Sequence, residues 1–170
     1  MTRRSYFAAP ALALAFACGP AAADDFLSRA EGTWRGKGWA KQSLDAPKEA
    51  VLCRITNTVD VSNNQLKTSG RCAVASQTFT VNGQITVAPG TGRITGSWRI
   101  PRGSGDAAIS GQRQGNRIVF TFQAPEKSTK QDLLHKSLWT LGTSALTITA
   151  SVKRPNDGKY ISLSSLNFSK

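Results

Sequence analysis

VLCRITNTVDVSNNQLKTSGRCAV, residues 51–74, decides how the chain folds. Val51, Cys53, Ile55, Val59 and Val61 fall on odd positions with Arg54, Thr56, Thr58 and Asp60 between them. This is the period-2 alternation of a strand with one buried face. Beyond Ser62-Asn63 the parity switches: Leu66, Thr68, Gly70, Cys72 and Val74 share one face, and Lys67, Ser69 and Arg71 the other. A two-residue turn at Ser62-Asn63 sets Val61 against Asn64, Val59 against Leu66, Ile55 against Gly70 and Cys53 directly against Cys72. Opposed cysteines meet the short Cα separation that a disulfide needs. The hairpin therefore predicts a sheet, its inner face, a Cys53–Cys72 bond and an oxidising compartment together.

The N-terminus gives the same address. Met1-Thr2-Arg3-Arg4 is basic, the stretch from Phe7 to Cys18 is apolar, and Ala21-Ala22-Ala23 is a small-residue cleavage site. These features read as a secretory signal peptide over residues 1–23, leaving 24–170 as a single domain, periplasmic or secreted. Thr2-Arg3-Arg4-Ser5-Tyr6-Phe7 also resembles a twin-arginine signal and Ala15-Phe16-Ala17-Cys18 a lipoprotein box, so the export route and lipid anchoring at Cys18 stay open. The apolar run is too short to span a bilayer and no later segment is longer, so no transmembrane segment is expected. Cys18 leaves with the leader, and the remaining two cysteines are expected to pair.

The chain carries 22 Lys and Arg against 10 Asp and Glu, a net charge of +12. Loss of Arg3 and Arg4 leaves about +10, which favours acidic partners such as anionic lipid or acidic glycan. Nucleic acid is not expected, given the export signal and only Trp39 and Trp139 as outward aromatics for base stacking.

Outward from the hairpin, the same alternation recurs. Asp24 to Glu31 places Phe26, Leu27 and Ala30 at helical spacing. Trp34, Gly36, Gly38 and Ala40 then share a face, with Arg35, Lys37, Trp39 and Lys41 on the other. Phe79, Val81, Gly83, Ile85 and Val87 keep one parity straight through Asn82-Gly83, so a continuous strand is predicted there despite the turn-like dipeptide. Ile94 to Ile100, Ala107 to Gly111, Ile118 to Phe122, Leu138 to Leu141 and Leu146 to Val152 follow. In the last strand Ile161 and Leu163 change parity to Leu166 and Phe168, which a bulge at Ser164-Ser165 would repair. Ala124 to His135 is polar and reads as a loop or short helix. The fold class is all-β: an antiparallel up-and-down barrel of about 8–10 strands with a short N-terminal helical turn, a sandwich being the alternative.

Gly32-Thr33-Trp34 after Phe26-Leu27 resembles the Gly-x-Trp opening of lipocalins and the wider calycin-like barrels. Gly32 to Gly38, GTWRGKG, is similar to the GTWxGxG opening of nitrobindin-type haem-binding barrels. The resemblance implies that Trp34 closes a barrel floor and that the interior holds a ligand. The Tyr-Pro-Thr-Ile that follows in nitrobindins is replaced by Trp39-Ala40-Lys41-Gln42, and their proximal histidine near the C-terminus has no counterpart, since the single histidine is His135. No haem or other cofactor is therefore expected. Size, compartment and cysteine count are also similar to small exported barrels that inhibit metalloproteases.

No catalytic constellation accompanies His135, which the pattern leaves in a loop with Asp132 and Lys136 nearby, and no metal-ligand spacing occurs. Glu31, Asp60 and Asp106 sit at strand ends, where capping suffices. The chain is thus expected not to be an enzyme. The expected ligand-binding lining is Trp34, Phe79, Trp98, Phe120 and Phe122; the expected anion-binding residues are Arg35, Lys37, Lys41, Arg93, Arg99 and Arg102. Together these predict a monomeric exported binding protein for a small apolar or amphipathic, anionic ligand. The alternative is a non-enzymatic envelope interaction protein with a solid barrel, whose basic outer surface meets anionic lipid, acidic glycan or a protease.

Overall fold

The computed structural model describes residues 25–100, 105–126 and 130–170. The leader with Cys18, and Arg102, lie outside the described residues. One helix, α1 (Asp25–Ala30), precedes ten strands: β1 (Gly32–Ala40), β2 (Glu49–Asp60), β3 (Gln65–Val74), β4 (Gln77–Val87), β5 (Arg93–Arg99), β6 (Asp106–Gln114), β7 (Arg117–Pro125), β8 (Asp132–Leu141), β9 (Ala145–Lys153) and β10 (Tyr160–Ser169). Each strand pairs antiparallel with the next, and β10 returns to β1, giving a closed barrel. Closure removes the edge strands that an open meander of this length would expose.

The β2–β3 register is the one that the parity switch predicts: Val59 pairs with Leu66, Ile55 with Gly70 and Cys53 with Cys72. The Cys53 and Cys72 sulfurs are at disulfide distance, 1.97 Å. The loop itself has four residues rather than two, because the ladder ends at Asp60–Gln65. Asn64 takes a left-handed conformation, φ 48°, and donates its N–H to the Val61 carbonyl at 3.3 Å. The Asp60 carboxylate accepts from Ser62 Oγ at 2.6 Å and Asn63 Nδ2 at 2.7 Å, and these bonds hold its pKa below the usual carboxylate range. Both loop lengths share one midpoint, so the register is unchanged, but Val61 lies in the turn and is 55% exposed instead of facing inward.

Three further expectations shift. β8 begins at Asp132, so His135 is a strand residue and only the connection before it is irregular. Alternation places His135, Ser137, Trp139 and Leu141 on one inner face; Trp139 is buried and is not an outward aromatic. The β10 bulge falls between Ser162 and Ser164, one residue earlier than expected, and restores Leu166 and Phe168 to the interior. β4, in contrast, runs unbroken through Asn82-Gly83, as its parity demands.

The core sits at the end of the barrel that α1 covers. Phe26, Leu27 and Ala30 are buried against Trp34, Leu66, Ile85, Ile118, Leu141 and Leu146. The Ala30 carbonyl, one of the groups that a helix C-terminus leaves unsatisfied, accepts from Trp34 Nε1 at 2.8 Å and Asn57 Nδ2 at 2.9 Å. Asn57 is fixed in turn by Thr68 Oγ1, which donates to its Oδ1 at 2.8 Å. Large rings on this inner surface are matched by glycine on the facing strand: a Cβ at Gly36 would stand 2.4 Å from the Phe168 ring, and one at Gly83 2.0 Å from Trp98 Cε3.

Candidate functional site

The opposite end of the barrel is open inside. A cavity of about 530 Å³ extends inward from the β1–β2 and β7–β8 connections. Its deep wall is apolar, formed by Val81, Trp98, Ile148 and Leu166, with Phe79 and Phe122 nearer the mouth. The alternation that makes each strand amphipathic supplies this lining; the volume exists because α1 fills only one end, and the strands at the other end present alanine, valine and serine inward.

One wall is an aromatic chain. Trp98 meets Trp139 edge-on at 5.8 Å and Phe120 at 5.7 Å; Phe120 continues to Phe122 at 6.4 Å. The His135 imidazole stacks on Phe122, centroids 5.2 Å apart and planes 13° from parallel. The indole N–H of Trp139 is satisfied by Ser137 Oγ at 3.1 Å. Such contacts fix side-chain orientation beyond what area burial alone would do.

The polar groups gather towards the mouth. His135 lines the cavity, and its buried Nε2 has no hydrogen-bond partner among the described residues. Desolvation lowers its pKa below the ordinary 6.5, against the opposing effects of a hydrogen bond at the Ala124 backbone and the nearby Glu126 carboxylate. The imidazole is therefore neutral at pH 7 and presents one open nitrogen to whatever enters. Glu126, buried, and the cations Lys41 and Lys130 border the same opening. Lys41 Nζ donates to the Leu44 carbonyl at 2.5 Å, which ties the β1–β2 connection to the rim.

Of the lining expected from sequence, Phe79, Trp98 and Phe122 border the cavity. Trp34 and Phe120 do not: Trp34 is locked into the floor by its bond to Ala30, and Phe120 is enclosed between Trp98 and Trp139. His135 was missed because the polar segment before it hides the start of β8. The available signal was parity, since His135, Ser137, Trp139 and Leu141 alternate with Leu134, Lys136, Leu138 and Thr140.

The expected anion-binding residues do not form one surface. Arg35 and Lys37 point outward from β1, Lys41 is at the cavity rim, and Arg93 lies on β5. Arg99 is neutralised by Asp106 across the β5–β6 pair at 2.6 Å. The other strand-end carboxylates also have structural partners: Glu31 Oε1 accepts from the Val59 N–H at 3.3 Å, and Asp60 caps its turn. Among the described residues no group of three or more His, Cys, Asp or Glu is placed to hold a metal ion, and no helix is long and apolar enough to cross a membrane.

Fold and site together define a closed ten-stranded antiparallel barrel, plugged at one end and hollow at the other. The chain is similar in structure to Rv2717c from M. tuberculosis, with a TM-score of 0.63 and 12% identity over 85% of this chain and 94% of that one. At that identity the likeness is one of fold. No protein-family model and no curated protein sequence matches the chain.

Proposed function

We propose that this is an exported calycin-like binding protein, acting in the periplasm or outside the cell as a monomer without a cofactor, that holds a small apolar or amphipathic, anionic ligand. It binds and does not catalyse. The observation that carries the reading is the cavity of about 530 Å³ with an apolar depth and the unpartnered His135 Nε2 in its wall. That volume falls within the range of ligand pockets, and an apolar lining with a few convergent polar groups is how such pockets fix orientation.

The ligand's apolar part lies against Val81, Trp98, Ile148 and Leu166, and its anionic end faces the mouth, where Lys41 and Lys130 supply charge, while the neutral His135, its one proton held at the Ala124 backbone, offers Nε2 as an acceptor. Glu126 at the same rim opposes an anion, so the head group sits on the Lys41 side or accepts a proton shared with His135.

Native mass spectrometry of mature protein purified gently from an envelope fraction, followed by denaturing extraction, tests this directly. A stoichiometric small amphiphile is the expected result. In parallel, cis-parinaric acid should bind saturably to stripped protein and quench Trp98, and Ala150→Trp, which fills the cavity from β9, should abolish that binding. Apo protein that takes up no probe, or a probe still bound by the filled variant, would overturn the reading.

A further inference from the structure

On the outside of the barrel, the register that aligns the cysteines also aligns charge. Arg35 of β1 pairs directly with Arg54 of β2, and Arg54 with Arg71 of β3, so three exposed guanidinium groups stand in a row across adjacent strands. Lys37 follows Arg35 on the same face, and Lys67 lies two outward positions along β3 from Arg71. Among the described residues no carboxylate pairs with any of the five. β1, β3 and β4 contain no acidic residue, and β2 has only Glu49 and Asp60, at its two ends.

Like charges directly opposed across strands destabilise a sheet, so this row is not what a merely solvated face would carry. Beside it is an apolar group that folding also leaves unused. Leu52, paired with Lys37 and next to Arg54, is 67% exposed. Along β1 comes half-buried Trp39 with Lys48 Nζ 4.0 Å over its ring. A shallow groove of about 390 Å³ runs between Arg35, Leu52, Arg54 and Arg71.

We propose that this face of β1–β3 docks on a membrane surface, with phosphate groups of anionic phospholipid headgroups bound by the arginine row and Leu52 and Trp39 entering the interfacial layer. Charge complementarity selects the phosphate, because guanidinium forks pair bidentately with phosphate oxygens and one anion between two of them relieves their repulsion. Leu52 selects the lipid surface over a free anion, since a free anion leaves an exposed leucine without a partner, whereas an interface takes up an apolar side chain ringed by cations. The site is separate from the interior cavity and does not depend on a ligand there.

The test is co-sedimentation of the mature protein with vesicles of phosphatidylcholine alone or with one quarter phosphatidylglycerol, in low salt. Binding should require the anionic lipid. Each cation near the surface is worth roughly a fivefold change in partitioning, so Arg54→Gln/Arg71→Gln should weaken it about 25-fold. Arg93→Gln/Arg117→Gln removes equal charge from β5 and β7, on other sides of the barrel, and should weaken it far less. Leu52→Ser should reduce vesicle binding several-fold at unchanged charge. All these side chains are exposed, and thermal melts confirm that the variants fold. Equal losses from the two double variants would reduce the effect to net charge and overturn the proposal. So would equal binding to neutral vesicles, displacement by millimolar inorganic phosphate, or a Leu52→Ser variant that binds as the wild type does.

Discussion

Removing the Cys53–Cys72 bond should weaken the protein by an amount that the fold fixes in advance. The cysteines are 19 residues apart, and closing a loop of that length in the unfolded chain costs about 3 kcal/mol of conformational entropy, which the bond removes from the unfolding balance. The native hairpin needs no cross-link to keep its register, since the ladder runs from Leu52–Ala73 to Asp60–Gln65 on its own hydrogen bonds. The loss should therefore appear as reduced stability without reduced strand content. In a domain of this size each kcal/mol moves the melting temperature by roughly 3 °C, so a drop of about 10 °C is expected. Calorimetry of Cys53→Ala/Cys72→Ala, with far-ultraviolet dichroism alongside, measures it. Alanine is preferred to serine because both positions are buried, at 6% and 4% exposure, and two hydroxyls there would lack partners. Wild type melted with and without reductant isolates the bond from the lost sulfur packing. Two titratable thiols in mature protein from an oxidising compartment, or superimposable melts with and without reductant, would refute the reasoning.

Because burial disfavours its charged form, His135 should titrate below 6.5 in an NMR pH series; a midpoint at or above that value would contradict its placement in the cavity wall. The sign for stability follows: an unfolded histidine takes a proton first, so this contribution is complete above about pH 6.5 and is lost as pH falls from there towards the lowered folded pKa. His135→Leu should flatten that part of the melting profile. Asn57→Leu leaves the Thr68 hydroxyl without its acceptor and removes one of two donors from the Ala30 carbonyl; a loss of about 1–3 kcal/mol by chemical denaturation is expected, and an unchanged midpoint would remove Asn57 from the account of how α1 is held. Gly83→Val places its Cβ on the Trp98 ring, so it should cost about 1–3 kcal/mol and shift tryptophan emission; wild-type spectra would mean that the indole is not held there.

Local alternation made most of the barrel legible. Parity identified the β2–β3 register, the unbroken β4 and the need for a bulge in β10, because each is a property of one strand or one hairpin. What failed was whatever depends on the third dimension. Trp34 and Phe120 share inward parity with Phe79, Trp98 and Phe122, but parity does not say how far along the barrel axis a residue sits. α1 fills the end where Trp34 lies, and the cavity begins beyond it. Asn57 has the right parity for the interior and was passed over as polar; its partner is a helix carbonyl whose position only the folded chain defines. The arginine row is legible in the same way, since the turn that sets Cys53 against Cys72 sets Arg54 against Arg71 as well.

That coincidence links the two faces of the hairpin. The cysteine row, Gly36–Cys53–Cys72, and the arginine row, Arg35–Arg54–Arg71, are consecutive rungs of the same three strands. Repulsion between the guanidinium groups acts to separate β2 from β3, and at cross-strand distances it is shorter-ranged than the Debye length of about 10 Å at 0.1 M salt, so salt relieves it only in part. The covalent link inside the adjacent rung resists that separation where it is strongest. In an oxidising compartment, then, the sheet can tolerate on its outer surface a charge row that would otherwise weaken it, and the interior is not called on to compensate. The floor beneath α1 supplies the packing, the disulfide supports the charged hairpin, and the open end of the barrel keeps its cavity.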